Sequence, residues 1–196
     1  MEKITYRNAK KNDSPMIVKL MLIAAGGAFE FLLHDLISNV TPEQIMLQKI
    51  YQKDNLFSYQ NCFVAEMDGE VVGLLHACST KEAAEEEGGY DNIPKDRLKY
   101  VQPFFDLKIN NSYYLFHIAV LQECRGMGVG HCLLEAFKQH AKKRGFKKVS
   151  LQVWADNVNG ISLYEKHKFK IVAKGDIKRH PLLPHDGGIL LMEGEV

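Results

Sequence analysis

Tyr113-Tyr114-Leu115-Phe116-His117-Ile118-Ala119-Val120, followed by Leu121 to Cys124 and then Arg125-Gly126-Met127-Gly128-Val129-Gly130, is the stretch on which the reading of the fold turns. Its apolar first part, rich in aromatic and β-branched residues, predicts a strand over 113–120. The glycines predict a tight turn, after which Gly130, Leu133, Leu134, Phe137 and Ala141 recur at helical spacing until Arg144-Gly145 supplies a basic last turn and a stop. The first backbone N–H groups of a helix have no partner within it, and glycines let an anion approach them. A phosphorylated ligand is therefore the first expectation. Two familiar phosphate motifs are excluded by position: a GxGxxG fingerprint from Gly126 needs glycine at 131, where His131 stands, and a GxxxxGK motif from Gly126 fails at the same residue.

Outward from this stretch, Ile4 and Tyr6 suggest a first strand, and Asp13 or Ser14 with Pro15 opens a helix carrying Ile17, Leu20, Met21 and Ala24 on one face. Gly26-Gly27 breaks it, Phe29 to Ile37 resumes an apolar pattern, and Thr41-Pro42-Glu43-Gln44 has cap chemistry. Cys62–Ala65 and Val71–Cys78 flank Asp68-Gly69, a hairpin signal. From Thr80 to Asn111, through Glu85-Glu86-Glu87-Gly88-Gly89 and a short helical piece at 96–100, periodicity supports no core element, and a surface excursion is expected. Downstream, Val149, Leu151 and Val153 alternate as a strand, 161–167 forms a short helix, and 169–173 and 189–192 read as final strands. The order is βααββ, then βαβαββ.

The 196 residues, 46% of them hydrophobic, fit one domain over 1–196. A net charge of +1, from 25 basic and 24 acidic residues, supplies no bulk field for nucleic acid or an anionic membrane. Cys62, Cys78, Cys124 and Cys132 form no CxxC pair and are expected as reduced thiols. Without an apolar leader in MEKITYRNAKKND or a run of roughly 18 apolar residues, a cytoplasmic protein is expected.

A second motif joins the glycine turn. Asn157 is followed by Gly160-Ile161-Ser162-Leu163-Tyr164-Glu165-Lys166-His167-Lys168-Phe169. RGMGVG and N-x-x-G-x-x-L-Y-E-K-x-x-F, one helix and one strand apart, resemble the GNAT acyltransferase superfamily, whose patterns are (Q/R)xxGx(G/A) and NxxAxxLYEKxGF. The match covers 113–173, with Gly160 in place of the common alanine and Lys168 in place of the common glycine. The resemblance implies an α/β (α+β) fold: one domain with a central mixed, mostly antiparallel sheet of six to seven strands, helices on both faces, and a splay between two central parallel strands.

It further implies an N-acetyltransferase that moves acetyl from acetyl-coenzyme A to a primary amine by direct attack. The donor would lie along Ile118, Ala119 and Val120, its pyrophosphate on Arg125, Gly126, Met127, Gly128, Val129 and Gly130, and its pantetheine arm against Asn157. Tyr164 is implied as the acid for the leaving thiolate. The base stays open between His117, which titrates near neutrality, and water leading to Glu30 or another carboxylate. Strict alternation with Tyr114, Phe116 and Ile118 on the reactive face would turn His117 to the opposite layer. Acceptor specificity is expected from 26–34, from 80–111 and from the 178–188 loop, where His180, His185 and Asp186 either converge on a polar substrate or stand in an exposed turn. No metal site is expected, His180 and His185 having no third ligand at suitable spacing. Cys124 and Cys132 lack a His and Asp pairing pattern and are not read as nucleophiles. The acceptor would be a small-molecule or peptide amine; a homodimer is compatible, and the alternative function is a non-catalytic acyl-coenzyme A sensor.

Overall fold

The computed structural model describes residues 4–53, 55–85 and 92–196. Seven strands form one sheet in the order β1 (Ile4–Asn8), β2 (Cys62–Met67), β3 (Glu70–Ser79), β4 (Ser112–Val120), β5 (Lys148–Trp154), β7 (Ile189–Glu195) and β6 (Lys170–Gly175). Only β4 and β5 run parallel; every other neighbouring pair is antiparallel. This is the mixed α/β sheet expected from the sequence. The β2–β3 hairpin turns through Asp68 at φ 51° and Gly69 at φ 85°, the two left-handed residues that a two-residue turn matching strand twist requires.

Helices α1 (Ser14–Ala25), α2 (Ala28–Leu33) and α3 (Pro42–Tyr51) follow β1. Asp13 precedes α1, but its carboxylate is taken by Arg7, which also binds Glu66 and so ties β1, β2 and the helix entrance together. Gly26 and Gly27 separate α1 from α2 at positive φ, and Thr41 and Gln44 form a reciprocal capping box on α3. The amphipathic α7 (Val129–Lys143) buries Leu133, Leu134, Phe137 and Ala141. Filling such positions with Leu or Phe stabilises the fold by about 1.5–3 kcal/mol per side chain. On the sheet, Phe137 stacks on Tyr113, and α8 (Val158–Lys166) links β5 to β6.

The 80–111 segment departs from expectation. It forms α4 (Thr80–Glu85), α5 (Lys95–Tyr100) and α6 (Pro103–Asp106), and Ile93 and Val101 are buried in the main core. Both residues lie outside the short helices, so no periodic apolar face marks them and the sequence pattern does not reveal that this stretch packs. Residues 86–91, including Glu86-Glu87-Gly88-Gly89, lie outside the described residues.

Two departures from the common motif have local causes. Lys168 has φ 68°, a left-handed conformation that glycine adopts without a Cβ penalty. A Cβ on Gly160 would lie 2.7 Å from Asn157 Nδ2, so glycine here leaves room for the Asn157 side chain to fold over the start of α8.

Candidate active site

The parallel pairing of β4 with β5 covers only Ser112–Leu115 against Lys148–Leu151, although β4 continues to Val120 and β5 to Trp154. Over that further length each strand stays bonded on its other side, β4 to β3 as far as Gly73–Val120 and β5 to β7 as far as Trp154–Ile189. The strands therefore splay. Peptide groups of 116–120 and 152–154 face a wedge instead of each other, and an extended ligand carrying amides could complete them as an added strand would. The wedge opens into a cleft of about 860 Å³ bordered by Ile118, Ala119, Val120, Asn157 and Tyr164.

At one end of the cleft stands the glycine turn. Gly126 and Gly128 have φ of 80° and 88°, and a Cβ at either would meet nothing within 4 Å. Their backbone thus faces open space at the start of α7, where the helix dipole favours an anion. Gly130 serves differently: a Cβ there would lie 3.1 Å from Leu163 Cδ2, so its absence lets α7 approach α8. Arg125 and Val129 also border the cleft, whereas Met127 is not among the residues that border it and is 52% exposed. Asn157 accepts the Gly160 N–H through Oδ1, capping α8 while lining the cleft.

The other face of the splay carries His117. The β3–β4 register shifts between His76 and Ala77: His76 pairs with His117, Ala77 with Leu115, and Phe116 is the extra residue of a bulge. Directly paired residues share a face of the sheet, so His117 lies with His76, and Tyr114 with Cys78, on one side. Strict alternation would put His117 and Tyr114 on opposite layers; the bulge resets the phase and brings both to the cleft.

The proton positions of this pair follow from its partners. The Leu56 carbonyl can only accept, so His76 Nε2–H donates to it at 3.0 Å and His76 Nδ1 is bare. His117 Nδ1–H then donates to His76 Nδ1, also at 3.0 Å, leaving the His117 Nε2 lone pair without a protein partner among the described residues. Both rings are buried, and burial pushes the His76 pKa down to about 4; burial and the neighbouring His76 hold His117 well below the ordinary histidine value. His117 is thus a neutral imidazole with an available acceptor nitrogen at the cleft.

Tyr164 is the other group with available chemistry. Its ring packs edge-on to Phe169 and borders the cleft, its hydroxyl has no protein partner among the described residues, and burial pushes its pKa up, which keeps it protonated.

Glu30, His180 and His185 are not among the residues that border the cleft. One Glu30 carboxylate oxygen is buried without a partner among the described residues. His180 accepts the Leu182 N–H and packs its ring on Phe31 and Tyr100. His185 stacks on Trp154 at 4.1 Å and is held through Nδ1 by Asp156 and through Nε2 by the Gly26 carbonyl. Pairing across 159 residues of sequence makes it a strut between the 178–188 loop and the α1–α2 turn. Among the described residues, His131, Glu135 and His167 bring one ligand-type atom each within 4.8 Å of one another; the His167–Glu135 contact at 3.1 Å joins α7 to the end of α8.

Three neighbours escape sequence reading. His76 orients His117, Gln152 binds Tyr114, Phe104 and Leu107, and Trp154 donates to the Ala25 carbonyl. His76 had one available signal, a histidine within the strongly apolar run Val71–Cys78.

The splayed parallel strands beside a glycine turn are the arrangement that the resemblance to the acyltransferase superfamily implies, and the comparisons agree. Residues 31–169 match the model of the Acetyltransferase (GNAT) family, and the chain belongs to that family. It is 28% identical to an N-alpha-acetyltransferase from Sulfurisphaera tokodaii over 167 residues, covering 85% of this chain and 80% of that protein. A probable N-acetyltransferase camello from Xenopus laevis is 30% identical over 116 residues, 59% of this chain; the aligned region spans only 41% of the Xenopus protein. A crystal structure of an acetyltransferase superimposes with a TM-score of 0.69 at 25% identity, over 98% of this chain and 99% of the other. The chain is accordingly an acetyltransferase enzyme. No helix among the described residues is long and apolar enough to cross a membrane.

Proposed function

We propose that the protein transfers acetyl from acetyl-coenzyme A to a primary amine by direct attack, without an acyl-enzyme intermediate. The observation that carries this reading is the splay of β4 and β5 beside the glycine turn: one offers unpaired peptide groups to an amide-bearing arm, the other unpaired N–H groups to a pyrophosphate. A bound donor supplies an activated thioester. Residues 116–120 and Asn157 would hold the arm, and Arg125 to Gly130 the diphosphate. His117 Nε2 would accept the proton of the attacking amine, directly or through water, and the Tyr164 hydroxyl would protonate the departing thiolate. The four cysteines are free, and Cys124 borders the cleft without a hydrogen bond from its thiol to a described residue; a cytoplasmic address accords with free thiols.

The test is release of free thiol from acetyl-coenzyme A against a panel of amines and peptide N-termini, with coenzyme binding followed by thermal shift. Acceptor-dependent release supports the reading; binding without release for any acceptor would leave a sensor, and no binding would remove both. Within this scheme, Gly128→Ala places a methyl group in the space before the turn and strains a left-handed residue by about 1–2 kcal/mol. The KM for acetyl-coenzyme A should rise roughly tenfold, with kcat changed less than about threefold. Steady-state kinetics at saturating acceptor would check it, and an unchanged KM would remove the turn from coenzyme binding.

A further inference from the structure

The close approach of α7 to α8 at Gly130 and Leu163 brings three possible metal ligands together. His131 and Glu135 stand four residues apart on α7 and so share a face of that helix, and both are exposed. His167 ends α8, its N–H bonded to the Leu163 and Tyr164 carbonyls. Its ring sits 4.5 Å from that of His131, centroid to centroid, and its Nδ1 is 3.1 Å from Glu135 Oε1. One ligand-type atom from each of the three lies within 4.8 Å of the others. His180 and His185 take no part in this cluster.

The Glu135 contact alone does not account for the His167 ring. The residue is only 5% exposed, and its Nε2 is buried without a partner among the described residues. An apolar side chain of similar size would fill the same space and leave no polar atom unsatisfied. Burial, with the neighbouring His131, holds the His167 pKa below the ordinary histidine value, so at neutral pH the ring is uncharged, the form that ligates a metal. Of the charged groups that act on His167, Glu135 favours a bound cation and Lys138 opposes it. Glu135 can bond a metal directly, which outweighs a lysine whose Nζ lies over the Phe169 ring.

We propose that His131, Glu135 and His167 bind a divalent transition metal and so fasten α7 to the end of α8. Two imidazoles and one carboxylate suit zinc and its transition-metal neighbours, whereas magnesium and calcium take oxygen ligands. Tetrahedral ligands about 2.0–2.1 Å from zinc lie about 3.4 Å from one another, so the widest pair has to close by no more than about 1.4 Å. The exposed His131 and Glu135 side chains supply that movement while His167 stays fixed, and the fourth position falls to water. The helix that begins at the glycine turn is thereby tied to the helix that carries Tyr164.

The full-length protein, stripped with a chelator and dialysed, should be titrated with zinc chloride alone by calorimetry and by thermal shift. The expected result is one zinc per chain and, at a hundredfold excess over Kd, a melting temperature about 5 °C higher, with no such response to magnesium. Failure of either measure, or an equal response to magnesium, overturns the site. Glu135→Gln and His131→Ala, at exposed positions where the fold should tolerate them, should each weaken zinc binding at least about tenfold, and unchanged affinity in either overturns this ligand set.

Cobalt in the unsubstituted protein reports the ligands without any variant. A tetrahedral spectrum lacking a thiolate charge-transfer band is expected. A thiolate band would place the metal on the free cysteines, Cys132 beside His131 included, and would equally overturn the assignment. Every readout is metal binding, so these outcomes stand apart from success or failure of the acetyl-transfer reading.

Discussion

Replacing Tyr164 with phenylalanine should lower kcat by about 10²- to 10³-fold, within the usual range for removing a positioned general acid, while coenzyme affinity changes less than about threefold. The substitution deletes one oxygen. Tyr164 borders the cleft, and that oxygen makes no hydrogen bond to a described residue, so its removal leaves no orphaned partner among them. The ring keeps its edge-on contact with Phe169 and its place in the core, so the melting temperature should hold or rise. Burial raises the phenol's pKa, which makes it a poor base but keeps it protonated until a thiolate forms beside it. Leaving-group dependence supplies a sharper diagnostic. A donor whose thiol leaves with a lower pKa needs less protonation, and the Y164F defect should shrink on such a donor. If kcat stays within threefold of the parent on acetyl-coenzyme A, Tyr164 is a packing residue and the acid lies elsewhere.

The residues behind this prediction differ in how far the sequence discloses them. The glycine turn, Asn157 and Tyr164 lie in two contiguous motifs, because the backbone N–H groups proposed to hold a diphosphate and the side chain that caps α8 both sit at helix starts, within a few residues of sequence. The face presented by His117 is another matter. It depends on the extra residue Phe116, and a bulge is a property of pairing with β3, so counting along β4 alone predicts the wrong layer. His185 shows the same limit. Its neighbours suggest a substrate ligand, but Trp154, Asp156 and the Gly26 carbonyl, from two distant parts of the chain, take its face and both nitrogens. Phe104 and Phe105 at the cleft are least legible of all, since α6 contributes them from a stretch without periodicity.

The His76–His117 pair yields the second large effect, because its tautomers are set from outside the cleft. With Leu56 fixing the His76 proton on Nε2, His117 has its proton on Nδ1 and its lone pair on Nε2. His117→Phe removes that acceptor and should cost about 10²-fold in kcat if the imidazole takes the amine proton. His76→Leu keeps His117 but removes the acceptor that orders its tautomer, and a smaller loss, roughly tenfold, should fall on kcat with KM nearly unchanged. The pH profile distinguishes a base from a packing group. His117 has a depressed pKa, so it is neutral above the ordinary histidine range and becomes protonated only as pH falls well below it. The acid limb of kcat should therefore lie below about pH 6.5, the unperturbed histidine value. In His117→Phe the residual rate should lose that limb. In His76→Leu the limb should persist and move upward, because the neighbouring His76 is one of the causes holding the His117 value down. A His117→Phe enzyme that retains both its rate and its acid limb would assign proton removal to bulk water acting on an amine already neutral in the cleft.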